Sequence, residues 1–219
     1  PDIDTKIYHF AGLVYGDFDG ELFKEAAKHG KVAVDVQCLL RHVEPDKTMA
    51  FHDWAEKMEY LPCIDYLKTD AAEAEILTGL TDRAEAAKLL YSWGAKEVLI
   101  THNTEVLVYD GKEIYTCPIK ARNLSGRTGR GDTTFAGYIT ERQRADIPEA
   151  LQYCTALVSL KMETPGPFQG TRQDVLDYIK EFRSDNLFAI AELIYHGVSL
   201  EKIHEITMIT PYFLEAIKS

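Results

Sequence analysis

Arg127-Thr128-Gly129-Arg130-Gly131-Asp132-Thr133-Thr134-Phe135-Ala136-Gly137 is the stretch on which the reading of this chain turns. It follows a strand-rich segment and opens the apolar-periodic run Phe135, Ala136, Tyr138, Ile139. The spacing predicts a glycine-containing turn feeding the first turn of a helix. Two glycines let the backbone approach a ligand with no Cβ in the way. The free N–H groups of a helix start, with the positive end of its dipole, make an anion site. Asp132 falls inside that first turn. An anion cradle beside a carboxylate suits phosphoryl transfer, the cradle holding a phosphate and the carboxylate taking a hydroxyl proton. On spacing alone a plainer reading stands beside it, a glycine loop whose Asp132 or Thr133 only caps a helix.

Working outward, the residues before this stretch alternate strand and helix patterns. Lys6 to Phe10 reads as a strand, Gly20 to His29 as a helix, and Lys31-Val32-Ala33-Val34-Asp35-Val36 as a buried parallel strand. Residues at the carboxyl ends of parallel strands face the binding crevice, so Asp35, Gln37 and Arg41 are site candidates. A surface loop with a structural Arg–Asp pair explains the same three residues. Lys47 to Tyr60, with Phe51, Trp54, Met58 and Tyr60, is expected to cover an edge of the sheet. After the strand Ile64–Lys68, Thr69 or Asp70 caps a helix, Glu73 closes a capping box and Gly79 stops it. Thr81 to Trp93 reads as an amphipathic helix, and Glu97 to Thr101 as a buried strand delivering Thr101 to the same sheet edge. Asp110-Gly111 marks a hairpin between Val106–Tyr109 and Glu113–Cys117. Helices are expected over Gly131–Arg144, over Ile147–Met162 with Pro148 in the first turn, and from Thr171, after the break at Pro165-Gly166-Pro167. A further helix over Leu187–Leu193 stops at Gly197, another runs from Ser199 to Ile206, and Thr210-Pro211 opens a third.

Thr128-Gly129-Arg130-Gly131-Asp132-Thr133-Thr134-Phe135-Ala136-Gly137 resembles the second signature of the pfkB (ribokinase-like) carbohydrate kinases, T-G-A/G-G-D-T/S-F-x-x-G. The resemblance covers about residues 6 to 183. It implies an α/β fold, a three-layer sheet flanked by helices whose N-terminal part is missing from this chain. It makes Asp132 the base and the N–H groups of Gly129, Arg130 and Gly131 the anion hole, with Thr128, Gly129, Gly131 and Thr101 on the nucleotide side. Asp35-Val36-Gln37 with Arg41 is similar to a pattern in an inositol and nucleoside kinase branch, which implies acceptor binding. Asp70 and Glu73 match the N-x-x-E stretch that organises Mg²⁺ and phosphate through water, Asp70 standing for the Asn. The family places Asp-Thr where Gly126-Arg127 stands, and a small residue where Arg130 stands. The T-x-G-x-x-G loop after Thr101 is replaced by His102-Asn103-Thr104-Glu105-Val106, both glycines gone. No G-G-x-x-x-N signature is present, and no Gly-Lys-Ser/Thr makes the turn a Walker A loop.

The run from Asp185 to Ile217 resembles the oligomerisation domain of carbamoyl-phosphate synthase large subunits. The expected organisation is therefore a partial kinase core over residues 1–183 and an all-helical tail over 184–219 that implies a homo-oligomer. The expected activity is ATP- and Mg²⁺-dependent phosphorylation of a sugar or polyol. A nucleoside kinase, or a non-catalytic remnant that binds nucleotide or a partner, are the alternatives.

Composition bounds these readings. The 219 residues, 46% hydrophobic and 27% charged, are those of a globular protein. A net charge of −11 argues against a nucleic acid or an anionic membrane as the main partner. Cys38, Cys63, Cys117 and Cys154 match no metal spacing and read as reduced thiols of a cytoplasmic protein. Pro1-Asp2-Ile3-Asp4 is no signal peptide, and the absence of an initial Met reads as a processed chain or part of a longer one.

Overall fold

The computed structural model describes residues 5–207 and 211–218. These divide into two compact units, Pro1–Gln169 and Gly170–Ser219. The apolar strand runs of the first unit assemble one sheet from β1 (Ile7–Phe10), β2 (Lys31–Asp35), β5 (Tyr66–Asp70), β6 (Val98–Thr101), β7 (Glu105–Tyr109) and β8 (Ile114–Pro118). They lie in the order β1-β2-β5-β6-β7-β8. The first four are parallel, and the Asp110-Gly111 hairpin adds β7 and β8 antiparallel. A separate two-stranded ribbon joins β3 (Arg41–Val43) to β4 (Met49–Phe51).

Strand side chains alternate between two cores, because successive residues point to opposite faces. Val32, Val34, Leu67, Val98 and Ile100 face one core, with α1 (Glu21–Ala26), α4 (Ala71–Thr78) and α5 (Arg83–Ser92). Ala33, Tyr66, Leu99, Val106 and Val108 face the other, under α6 (Arg130–Glu141) and α7 (Ile147–Met162). The three expected layers are present. Gly137, which ends the opening motif, sits at the α6–α7 contact, where a Cβ would meet Leu157 Cδ2 at 2.7 Å.

Some elements differ from expectation. The helix expected over 20–29 is confined to α1. The 47–60 segment supplies β4 and α3 (Lys57–Tyr60). Its Trp54 is buried against the first core, with Phe23 at 6.4 Å and Tyr60 stacked at 6.2 Å, so it packs inward rather than over a sheet edge.

Glu97, just before β6, anchors the far end of α6. Tyr138 donates its hydroxyl proton to Glu97, and Arg142 donates through Nε and Nη2 at 3.1 Å each. Removing one partner of a buried network leaves the others uncompensated. Arg142 keeps 21% of its side chain exposed, so Glu97→Ala is expected to cost about 3 kcal/mol, the low end for such a change. Tyr138→Phe is expected to cost about 1 kcal/mol. Urea midpoints of the two variants check both figures.

In the second unit α8 runs unbroken over Arg172–Tyr195, capped by a Thr171–Asp174 capping box. The expectation broke this stretch at 183/184. No Gly or Pro lies between 172 and 195, so nothing in the sequence stops the helix there. Gly197 does stop it, at φ 80°. Ser199 Oγ accepts from Lys202 N–H at 3.3 Å and opens α9 (Leu200–Thr207). Pro211 is the first residue of α10 (Pro211–Lys218), whereas Thr210 lies outside the described residues. Ile190, Ile203 and Leu214 form the small core of this unit. Among the described residues no helix is long and apolar enough to cross a membrane.

Candidate active site

The carboxyl end of β2, Lys68 in the middle of β5 and the start of α6 meet at one open cleft of about 240 Å³. Asp35, Gln37, Lys68, Arg127, Gly129, Arg130, Gly131 and Asp132 line it. Three stretches separated by more than 30 residues thus converge where an open parallel sheet places its ligands.

The α6 wall follows from one glycine. Gly129 adopts φ 76°, ψ 16°, which lets the chain turn sharply before the helix. No side chain caps this end. Thr133 Oγ1 instead donates back to Gly129 O at 2.8 Å, so the plain capping reading of Asp132 or Thr133 does not describe the turn. Among the described residues the N–H groups of Gly129, Gly131 and Asp132 have no backbone acceptor. The expectation also gave Arg130 an amide in the hole. That N–H is turned back onto Arg127 O at 3.3 Å, closing the turn, and Arg130 offers its guanidinium to the cleft instead. Asp132 is exposed, on the cleft.

Facing it, Asp35 ends β2 and Gln37 opens α2 (Gln37–Leu40). Asp35 Oδ1 accepts from Gln37 N–H at 3.1 Å and from Lys68 Nζ at 3.1 Å. The cationic partner of Asp35 is therefore Lys68, not Arg41. Arg41 lies at the start of β3 with its guanidinium 5.5 Å from the Phe51 ring centre, and the cleft does not include it.

Lys68 is the main site residue that the sequence reading missed. It is 4% exposed and lies under the α6 turn, where a Cβ on Gly131 would stand 3.1 Å from its Nζ. Burial disfavours its ammonium, but the Asp35 and Glu73 carboxylates outweigh that and hold its pKa above the usual lysine value. The distances assign it chiefly to Asp35, at 3.0 Å, against 3.8 Å to Glu73. A lysine inside a buried strand run was the available signal, since such a group needs a carboxylate.

Asp70 and Glu73 form the expected capping box of α4, with Glu73 N–H to Asp70 Oδ1 at 2.8 Å and Asp70 N–H to Glu73 Oε2 at 2.7 Å. Burial pushes the Glu73 carboxyl up to about 7, with the Lys68 charge opposing. A carboxyl whose folded pKa is raised binds its proton more tightly folded than unfolded. Its contribution is intact below about 4.5 and is lost as pH rises toward about 7. Wild type is therefore expected to lose stability, at most about 3 kcal/mol, between pH 4.5 and 7 relative to Glu73→Gln, read as the difference of two urea titration series.

Among the described residues no three His, Cys, Asp or Glu stand together to ligate a metal directly. Asp70 and Glu73 each keep one carboxylate oxygen outside the capping box, but neither lines the cleft and Glu73 is buried, so a metal arriving on phosphates would be reached only through water.

Arg127 and Arg130 both donate to Asn103 Oδ1, at 3.4 and 2.9 Å. Among the described residues neither meets a carboxylate in an ion pair. The Arg130 cation is disfavoured by partial burial and by the Arg127 charge beside it. Two cations sharing one neutral acceptor leave positive field at the cleft. Asn103 lies in the short turn from β6 to β7, closed by His102 N–H to Glu105 O at 2.9 Å. Thr101, at the end of β6, is 4% exposed and its Oγ1 donates to Thr69 O at 3.5 Å. Neither Thr101 nor Thr128 lines the cleft. His9 lies in β1, outside the cleft lining. It sits edge-on to Phe135 at 5.0 Å, and loss of solvent around the ring lowers its pKa although Asp35 and Asp132 oppose this.

Residues 146–219 match the oligomerisation domain of the carbamoyl-phosphate synthetase large chain. Residues 4–173 match the pfkB family carbohydrate kinases. The chain is 34% identical over 102 residues to the cytidine kinase of Thermococcus kodakarensis, covering 45% of this chain and 36% of that protein. It is 37% identical over 87 residues to the hydroxymethylpyrimidine/phosphomethylpyrimidine kinase of Aquifex aeolicus, covering 34% and 33%. Among solved structures, it resembles a pyrophosphate-dependent kinase in the ribokinase family complexed with a pyrophosphate analog and myo-inositol. The TM-score is 0.74 at 34% identity, over 80% of this chain and 64% of that one. The ribokinase of Arabidopsis thaliana shares the fold, with TM-score 0.64 at 21% identity over 80% and 55%. The chain thus spans about a third of the length of these curated relatives. With the match to residues 4–173 covering more than half of it, this chain belongs to the pfkB family of carbohydrate kinases.

Proposed function

We propose that this chain transfers a phosphoryl group to a hydroxyl of a sugar or polyol. The observation that carries this is the single cleft shared by Asp132, the Gly129 and Gly131 turn, and Asp35 with Gln37. Asp35 and Gln37 hold acceptor hydroxyls on one wall. Asp132 on the other accepts the proton of the attacking hydroxyl. The helix-start amides and the Lys68 charge stabilise the oxygens of the migrating phosphoryl group. The donor in this reading is ATP with Mg²⁺, Asp70 and Glu73 holding the metal's water shell. The metal supplies charge neutralisation on the phosphates. The four cysteines are free, which suits a cytoplasmic protein.

A second donor, pyrophosphate, is favoured by one feature of this chain. Arg127 and Arg130 crowd the cleft beside a short, glycine-free turn, while Thr101 does not line it. Such a site holds charge rather than a base and ribose. The relative solved with a pyrophosphate analog shares 34% identity. A nucleoside acceptor is the alternative that the cytidine kinase likeness supports.

The test crosses ATP and pyrophosphate with myo-inositol, ribose and cytidine, following phosphomonoester formation by ³¹P NMR. Product from at least one pair is expected. No product from any pair, with donor still bound, would replace this reading with the non-catalytic one.

For the tail we propose self-association. On α8, Tyr195 is 86% and Leu193 44% exposed, large apolar groups left to solvent. Tyr195→Glu in the full chain should lower the mass found by light scattering, and an unchanged mass would remove the tail's role.

A further inference from the structure

Lys161 lies in the last turn of α7 and is 2% exposed. Among the described residues its ammonium meets no carboxylate. It donates instead to two main-chain oxygens, Gly126 O at 2.6 Å and Thr128 O at short range. The negative end of the α7 dipole helps to hold a cation there, yet burying an unpaired ammonium still costs several kcal/mol.

Anchoring the loop does not require that charge. Gly126 N–H already donates to Met162 O at 2.8 Å, and Ser125 Oγ to Glu163 O at 2.8 Å. What the ammonium adds is direction. A trans peptide holds its C=O and N–H on opposite sides of one plane. With Thr128 O drawn onto Lys161, the N–H of Gly129 in the same peptide must point the other way. Gly129 lines the cleft, and among the described residues its N–H has no backbone acceptor. The cation also polarises that peptide, which strengthens the N–H as a donor.

We infer that Lys161 is a positioning residue: a built-in cation that aims the Gly129 N–H at the phosphate bound in the cleft. This rests on the phosphotransferase reading above.

The test follows the backbone amides of Gly129, Gly131 and Asp132 by ¹⁵N NMR while pyrophosphate is added to the full chain, as wild type, Lys161→Met and Lys161→Arg. All three amides should shift in wild type. In Lys161→Met the Gly129 response should vanish while Gly131 and Asp132 still respond, and pyrophosphate should bind about tenfold more weakly. Lys161→Arg keeps the cation and should restore most of the Gly129 response, which a loss of folding would not allow. An equal Gly129 response in wild type and Lys161→Met would overturn the role of Lys161 and leave the kinase reading intact. A wild type silent only at Gly129 would do the same. A wild type silent at all three amides would overturn both.

Discussion

Asp132→Asn is expected to lower kcat by about 10²- to 10⁴-fold, the usual contribution of a positioned general base. The KM for either substrate should change little, because the amide keeps the shape of the carboxylate and all cleft walls stay in place. Stability should fall only by about 0.3–1 kcal/mol, the worth of a carboxylate in the first turn of a helix. These two readouts separate the proposed base from a helix-stabilising acid. A merely stabilising Asp132 predicts the same small stability loss with kcat unchanged. Steady-state rates and a thermal melt on one preparation decide between them.

Gly126→Ala should produce the other large effect. A Cβ at Gly126 would lie 1.8 Å from Thr164 O and 2.9 Å from Lys161 O, both backbone atoms that no rotamer change can move. The 126–128 segment must shift away from the end of α7, at a cost on the order of 3 kcal/mol. The shift also pulls Gly126 O and Thr128 O off Lys161. A displacement of about 1 Å at a positioning element can cost about 10²-fold in rate, so kcat should fall by at least that factor in whatever fraction stays folded. Gly79→Ala is the control. Gly79 also has positive φ, 73°, but nothing lies within 4 Å of its Cβ. It should lose about 1–2 kcal/mol for the left-handed backbone alone and keep full activity. Wild-type stability and rate in Gly126→Ala would contradict this account of the loop.

Local patterns were legible in the sequence wherever the signal lay within a few residues. The Asp70–Glu73 capping box, the Asp110-Gly111 hairpin and the glycine turn at 129 each depend on short-range geometry, and each is present. Lys68 was hidden because its carboxylate, Asp35, lies 33 residues away on a neighbouring strand. Lys161 was hidden for a stronger reason. Its partners are main-chain carbonyls, 33 and 35 residues upstream, and carbonyls carry no residue identity to read. Arg41 misled by nearness in sequence: the single turn of α2 separates it from Asp35, and β3 carries it into the other sheet. Arg130 was read for its amide, whereas the turn that Gly129 closes uses that amide and leaves the guanidinium to face the cleft.

The most direct test of the central claim is a crystal structure of the chain with a non-hydrolysable donor analog, methylenediphosphonate or an imido-ATP. The account predicts terminal phosphonate or phosphate oxygens about 3 Å from the N–H groups of Gly129 and Gly131, with the Asp132 carboxylate turned toward Asp35 and Gln37 across the cleft. An analog bound elsewhere, with the Gly129–Asp132 turn empty at saturating concentration, would contradict it.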